Sequence, residues 1–252
     1  MFPELLRIGD FQITSFGAMV ALASLVAFWV SGMEFERKGI SKKVHEHIFL
    51  ASLVGGILGA KILFLIENIP LRDLLSSPLH YLLLRGGLTF YGGFLLACFA
   101  FFVVIKKHGQ GFWKVFDAIA PALAIAYAIG RVGCFLVGCD YGITCALPWA
   151  MSFPKGSPPT LEMVHPTQLY ETIIMSLVFI ALWKMRKKLR PDGWLASIYL
   201  VLAGLERFFV EFLRTTTESP ISGLSVAQVM AAALIFIGVL KYLSLRRSNE
   251  AF

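Results

Sequence analysis

Charge is scarce in this chain: only 15% of its 252 residues are Asp, Glu, Lys or Arg, where an ordinary soluble domain carries about a quarter. That shortage excludes a water-solvated surface over most of the molecule. Fixed-period repeats, low-complexity tracts and flexible linkers are also missing, and no stretch has the composition of a separate soluble domain. No small-residue cleavage site follows the first apolar run, so that run is expected to stay as a helix rather than leave as a signal peptide.

What is present is apolar, at 57% of residues. Several runs reach the roughly 20 residues needed to cross a hydrocarbon core of about 30 Å. The expected fold is an all-α integral membrane protein forming one polytopic domain over residues 1–252. Seven transmembrane helices are placed at about 15–33, 47–66, 87–105, 116–136, 168–183, 194–213 and 224–243. Cations favour alternate connections, with fifteen Lys and Arg on one set and five on the other. The positive-inside rule therefore puts the amino terminus outside and the carboxyl terminus in the cytoplasm. The net charge of +7 is accounted for by that topology, and no nucleic-acid partner is expected. A proline-rich connection at about 137–167 becomes an ordered external loop or lid. Gly55, Gly56 and Gly59 in the second span read as helix-packing positions.

Three cations, Lys61, Arg131 and Arg207, fall inside spans. Each costs on the order of 2.5–3.5 kcal/mol at the bilayer centre unless it faces a cavity, pairs with an acid or reaches the interface. With the topology above, all three lie in the outer half, and Glu171 and Tyr91 open their spans at the same level. Lys61 can snorkel to the headgroups without a partner. Arg207, Glu211 and Arg214 are spaced four and three residues apart, which predicts one charged helix face. Paired guanidinium forks at headgroup depth suit a phosphodiester, which makes a membrane phospholipid the natural ligand. The run Gly130–Gly142 combines Arg131 with four glycines, and His165-Pro166 opens the fifth span with a helix start facing outward.

Four blocks carry a family resemblance: Gly86-Gly87-Leu88-Thr89-Phe90-Tyr91-Gly92-Gly93, the glycine-rich run from Gly130-Arg131 to Gly142, His165-Pro166-Thr167-Gln168-Leu169-Tyr170-Glu171, and Arg207-Phe208-Phe209-Val210-Glu211-Phe212-Leu213-Arg214. In order and spacing the chain resembles bacterial prolipoprotein diacylglyceryl transferases over nearly its whole length. The resemblance implies a multi-pass enzyme of the bacterial plasma (inner) membrane with its active site toward the outer face. Such an enzyme moves the diacylglyceryl group of phosphatidylglycerol to the lipobox cysteine of a prolipoprotein and releases glycerol 1-phosphate. It implies no metal and no organic cofactor. Arg131 and Arg207 match the arginines that hold the lipid phosphate, Glu211 and Arg214 match polar partners on the same helix, and Gly142 closes the glycine block; Glu171 joins them as a substrate-binding candidate.

The chain departs from that pattern in three places. Cys134 stands where the family has asparagine, Cys139 where it has glutamate, and Tyr91 where it has the histidine viewed as the thiol base. A phenol with an ordinary pKa near 10 is a poorer base than an imidazole near 6.5. His165 is the second candidate base, with an alternative role in orienting the start of its helix. Cys139 with Cys145 suits a short disulfide, and Cys134 with Cys139 a thiol pair or a nucleophile. Three cysteines with His165 match no standard zinc spacing, so no metal is expected. Two competing functions stay open: transfer of a phospholipid-derived group to another acceptor, and non-catalytic lipid binding or transport.

Overall fold

The computed structural model describes residues 2–8, 11–77, 79, 81, 87, 89–214 and 223–250. Gly86 and Leu88 of the first resemblance block, and Arg85 just before it, lie outside the described residues. The elements are β1 (Glu4–Ile8), β2 (Phe11–Thr14), α1 (Ser15–Arg37), α2 (Lys42–Asn68), α3 (Leu71–Ser76), α4 (Phe90–Lys107), α5 (Phe112–Val137), β3 (Met151–Phe153), β4 (Thr160–Val164), α6 (Thr167–Met185), α7 (Trp194–Val210), a 3-10 turn (Glu211–Leu213) and α8 (Val226–Glu250).

The fold is mostly helical, and α1, α2, α5, α6 and α8 are long and apolar enough to cross a membrane. Helices also stand at the other two expected spans, as the 18-residue α4 and the 17-residue α7. Leu25, Ile57, Phe99, Leu177 and Phe236 point outward, which suits lipid and not water. Two short antiparallel hairpins, β1–β2 and β3–β4, add a strand component to the all-α expectation. One structures the 137–167 connection, where Met151 pairs with Val164 and Phe153 with Thr160. The other packs the amino terminus onto the end of α5, since Phe2 donates its N–H to the Leu136 carbonyl at 3.0 Å and Ser15 donates to the carbonyls of Pro3 and Phe2.

The chain divides into two compact units, one of residues 32–115 and one of 1–31 with 116–252. In the smaller unit α2 packs on α4 through small residues. A Cβ at Gly59 would meet Leu96 Cβ at 2.6 Å and the Gly92 backbone, and one at Gly55 would meet the Leu96 carbonyl at 3.1 Å, so close packing is the role of these glycines. Lys61 is buried there, with its ammonium 5.6 Å from the Phe64 ring centroid.

In the larger unit Ala124 and Ala128 of α5, Met175, Val178 and Leu182 of α6, and Leu195 of α7 form one apolar core. Buried Asp117 of α5 accepts the backbone N–H groups of Gly193 at 2.9 Å and Ala196 at 2.8 Å. It thereby satisfies orphan donors at the start of α7 and fixes that helix against α5. The carboxyl end of α5, the amino end of α6 and the carboxyl end of α7 carry the charged residues discussed next.

Candidate functional site

Glu171 is the centre of the site. It lies one turn into α6 and is fully buried. Its carboxylate accepts from Arg131 of α5 through Nε and pairs with Nη2 of the same fork. Arg207 and Arg214 each reach its Oε1 at 3.4 Å, and the Tyr127 hydroxyl donates to that oxygen at 3.1 Å. One acid thus gathers three cations from α5, α7 and the segment after α7. Burying a charge is affordable only when it is paired in this way.

Two further carboxylates complete the cluster. Asp140 accepts Arg131 Nη1 at 3.0 Å and Arg214 Nη2 at 2.9 Å. Burial alone would raise its carboxyl, but Arg214 and Arg131 outweigh burial and hold it below the usual carboxylate range. Glu211 takes Arg207 Nη2 at 2.8 Å and the Ser225 hydroxyl at 2.7 Å. Arg207 is the most exposed of the three cations, with a side chain 28% accessible against 11% for Arg131 and 12% for Arg214, so it is the one most open to an incoming group.

The sequence placed Arg207, Glu211 and Arg214 on one helix face, and here the structure differs. Helix α7 ends at Val210, Glu211–Leu213 tighten into a 3-10 turn, and Arg214 is extended at φ −99° and ψ 152°. Arg214 instead forms an antiparallel bridge with Gly142, while Ile143 N–H donates to the Leu213 carbonyl at 2.8 Å. Contact with the loop carrying Gly142 draws the chain out of the helix, because the loop supplies backbone partners in place of helical ones. No side chain fits at Gly142: a Cβ there would meet His165 Cβ at 2.8 Å and Thr167 Cγ2 at 2.9 Å. Gly142 therefore joins the glycine block to both Arg214 and the start of α6.

The structure brings Arg131, Arg207, Arg214, Glu171 and Glu211 into one network, with Gly142 holding the backbone beside it. His165 is different. Its backbone belongs to this junction, donating to the Ile143 carbonyl at 3.0 Å and accepting from Gly142 at 2.9 Å, but its Nδ1 meets the Tyr170 hydroxyl at 3.2 Å. Trp149 Nε1 donates to the same hydroxyl at 2.8 Å. Tyr91 lies in the first turn of α4, exposed, in the other unit.

Sequence reasoning passed over three participants. Tyr127 sits four residues before Arg131, with the guanidinium 5.7 Å from its ring centroid, and that spacing was the available signal. Asp140 lies next to Cys139 in a run already singled out, but only the folded loop gives it partners. Glu206 of α7 is buried, and its Oε1 has no hydrogen-bond partner among the described residues.

A family model described as prolipoprotein diacylglyceryl transferase matches residues 3–244. Curated relatives named phosphatidylglycerol–prolipoprotein diacylglyceryl transferase include one from Clostridium tetani, 33% identical over 245 residues that cover 95% of this chain and 96% of the relative. Another, from Pseudoalteromonas atlantica, is 31% identical over 259 residues covering 99% and 91%. A third, from Bordetella avium, is 31% identical over 257 residues covering 98% and 96%. The chain belongs to the prolipoprotein diacylglyceryl transferase family.

Proposed function

We propose that this protein transfers the diacylglyceryl group of phosphatidylglycerol to the lipobox cysteine thiol of prolipoproteins and releases glycerol 1-phosphate. The observation that carries the reading is the convergence of Arg131, Arg207 and Arg214 on buried Glu171, in a chain whose full-length relatives bear that activity in their names. Each guanidinium has five donors, and the carboxylates of the cluster do not exhaust them. A lipid phosphate arriving at partly exposed Arg207 meets an array already oriented by Glu171 and Glu211. Preorganised cations of this kind stabilise the charge that grows on a departing phosphate oxygen.

In this reading the chain is one seven-span domain of a bacterial plasma membrane, with its amino terminus outside, its carboxyl terminus in the cytoplasm and the arginine cluster at the outer face. The cation bias of the connections and the helices at all seven expected positions support it. Arg131 and Arg207 bind the phosphate, Glu171 and Glu211 hold them in register, and Arg214 with Gly142 closes the loop over them. His165 and Tyr91 are the candidate groups for handling the acceptor proton.

The testing experiment follows glycerol phosphate released from phosphatidylglycerol by purified protein and by Arg131→Ala. Loss of release by about 100-fold or more, with the helical signal and unfolding midpoint retained, is the expected result. Folded Arg131→Ala that turns over lipid at the wild-type rate overturns the phosphate assignment.

A further inference from the structure

The arginine cluster is built for an anion, but it supplies little to activate a thiol. Glu171, Asp140 and Glu211 all accept from arginine, which makes them poor proton acceptors, and His165 Nδ1 is engaged with Tyr170; Glu206 alone among these carboxylates makes no arginine hydrogen bond. Beside the cluster lies a different set of groups. The thiols of Cys134 and Cys139 and a carboxylate oxygen of Asp140 all fall within 4.8 Å of one another.

Backbone geometry explains why these side chains meet. Gly138 is left-handed at φ 74°. Its N–H donates to the Phe135 carbonyl at 3.2 Å, and the Cys139 N–H donates to the Cys134 carbonyl at 3.0 Å. This is a Schellman cap, the motif in which the residue two past the helix end packs against the residue five positions before it. Those two positions are Cys139 and Cys134. Asp140 follows in a left-handed conformation at φ 61°, tolerable for an Asp side chain, and this turns its carboxylate back toward the pair. Fully buried Gln168 fixes the turn by donating to the Cys139 carbonyl at 2.6 Å, and its own Oε1 has no hydrogen-bond partner among the described residues. Arg131 Nη1 donates to Cys134 Sγ at 3.5 Å.

We propose that Cys134, Cys139 and Asp140 form a three-ligand site for a thiophilic divalent cation of the zinc class, whose open fourth position takes the acceptor thiol. The spacing that argued against a metal counted thiols and His165; the third ligand supplied by the fold is Asp140. Zinc holds thiolates at about 2.3 Å and carboxylate oxygens at about 2.0–2.2 Å, so its ligands sit about 3.5–3.8 Å apart, and closing from within 4.8 Å takes rotamer adjustments rather than refolding. Two thiolates and a carboxylate around a divalent ion leave one net negative charge, and Arg131 and Arg214 already flank it. Asp140 can keep both arginines while binding metal, because a carboxylate accepts at about four lone-pair positions. Three protein ligands with one free position are the arrangement of catalytic rather than structural zinc.

The consequence rests on the transferase reading. An acceptor thiol entering the fourth position binds as thiolate and releases its proton to water. A carbon–sulfur bond then forms to the glyceryl carbon as the carbon–oxygen bond to phosphate breaks, and the electron pair leaves on the phosphate oxygen held by Arg131 and Arg207. The step is a substitution with no change of oxidation state, so no oxidant is required.

The test uses the full-length protein in detergent, reduced with a non-chelating phosphine and titrated with cobalt(II). The expected result is one equivalent bound with a sulfur-to-cobalt charge-transfer band, displaced by zinc. The band is lost in Cys134→Ser and in Cys139→Ser, weakened in Asp140→Asn, and retained in Cys98→Ser, with unfolding midpoints confirming that each variant is folded. A protein with titratable free thiols and no band overturns the site, as does a Cys134–Cys139 disulfide that resists the phosphine. Lipobox-peptide turnover should fall on metal removal and return with zinc; equal turnover by stripped and loaded protein overturns the activating role. Absence of turnover in both forms counts against the transferase reading, and the cobalt band then decides the site alone.

Discussion

Where α2 meets α4 the contact is made by small residues, Gly55 and Gly59 against Gly92 and Leu96, with Lys61 buried nearby over Phe64. Where α5, α6 and α7 bring their ends together the contact is made by charge, three arginines around Glu171 with Asp140 and Glu211 beside them. Both are close helix associations in an apolar chain, but they stabilise differently. The first depends on shape and tolerates no added volume. The second depends on every buried charge keeping a partner, and it costs desolvation that a plain apolar contact would avoid. A chain that retains the costlier arrangement at one end of its helices is using that end for something other than packing.

Removing the hub should have the largest effect. Glu171→Ala leaves three guanidinium groups facing one another with Asp140 and Glu211 as the acids that still pair with them among the described residues, and should cost about 3–5 kcal/mol, read as a lowered unfolding midpoint in detergent, together with loss of lipid turnover. A Glu171→Ala protein as stable as wild type would show that the cluster is not a unit. Gly59→Val tests the other region. Its added methyl groups enter the Gly92 and Leu96 contact, and a loss of about 1–3 kcal/mol is expected by the same measurement. Arg207→Lys sharpens the contrast because it keeps the charge and removes the fork that now spans Glu171 and Glu211. Turnover should fall about 10- to 100-fold with little change in the midpoint.

The smallest expected effect is one of acid. Asp140's carboxyl is held below its ordinary value, so its contribution is complete above the unfolded value of about 3.9 and disappears as pH falls through the lower folded value. In chelator-treated protein the midpoint difference between wild type and Asp140→Asn should stay constant from about pH 7 to 5 and shrink only below about pH 4. A difference that vanishes near neutrality would contradict the two arginine pairs.

Much of this was legible in the chain. Apolar run length located the helices, and the cost of an intramembrane cation pointed to Arg131 and Arg207 before any contact was known. Period and spacing failed where the partners came from distant segments. Arg214 was assigned to a helix because its spacing from Arg207 and Glu211 fits one, while the Gly142 loop that pulls it into an extended bridge lies more than seventy residues earlier in the chain. Asp140 and Cys139 were visible as residue types, but the left-handed Gly138 that folds them back onto Cys134 declares itself only as one glycine among many. The strands β1 and β2 are too short for alternation to outweigh the neighbouring apolar run.

The central claim is that the arginine cluster serves group transfer from phosphatidylglycerol to a thiol. The most direct test is mass spectrometry of a lipobox-cysteine peptide after incubation with the purified protein and phosphatidylglycerol, with glycerol phosphate followed in parallel. Gain of one diacylglyceryl mass on the cysteine, matched by glycerol phosphate release and absent with Arg131→Ala, is the predicted result. Lipid turnover that leaves the peptide unmodified, or no turnover by protein shown to be folded, would contradict it.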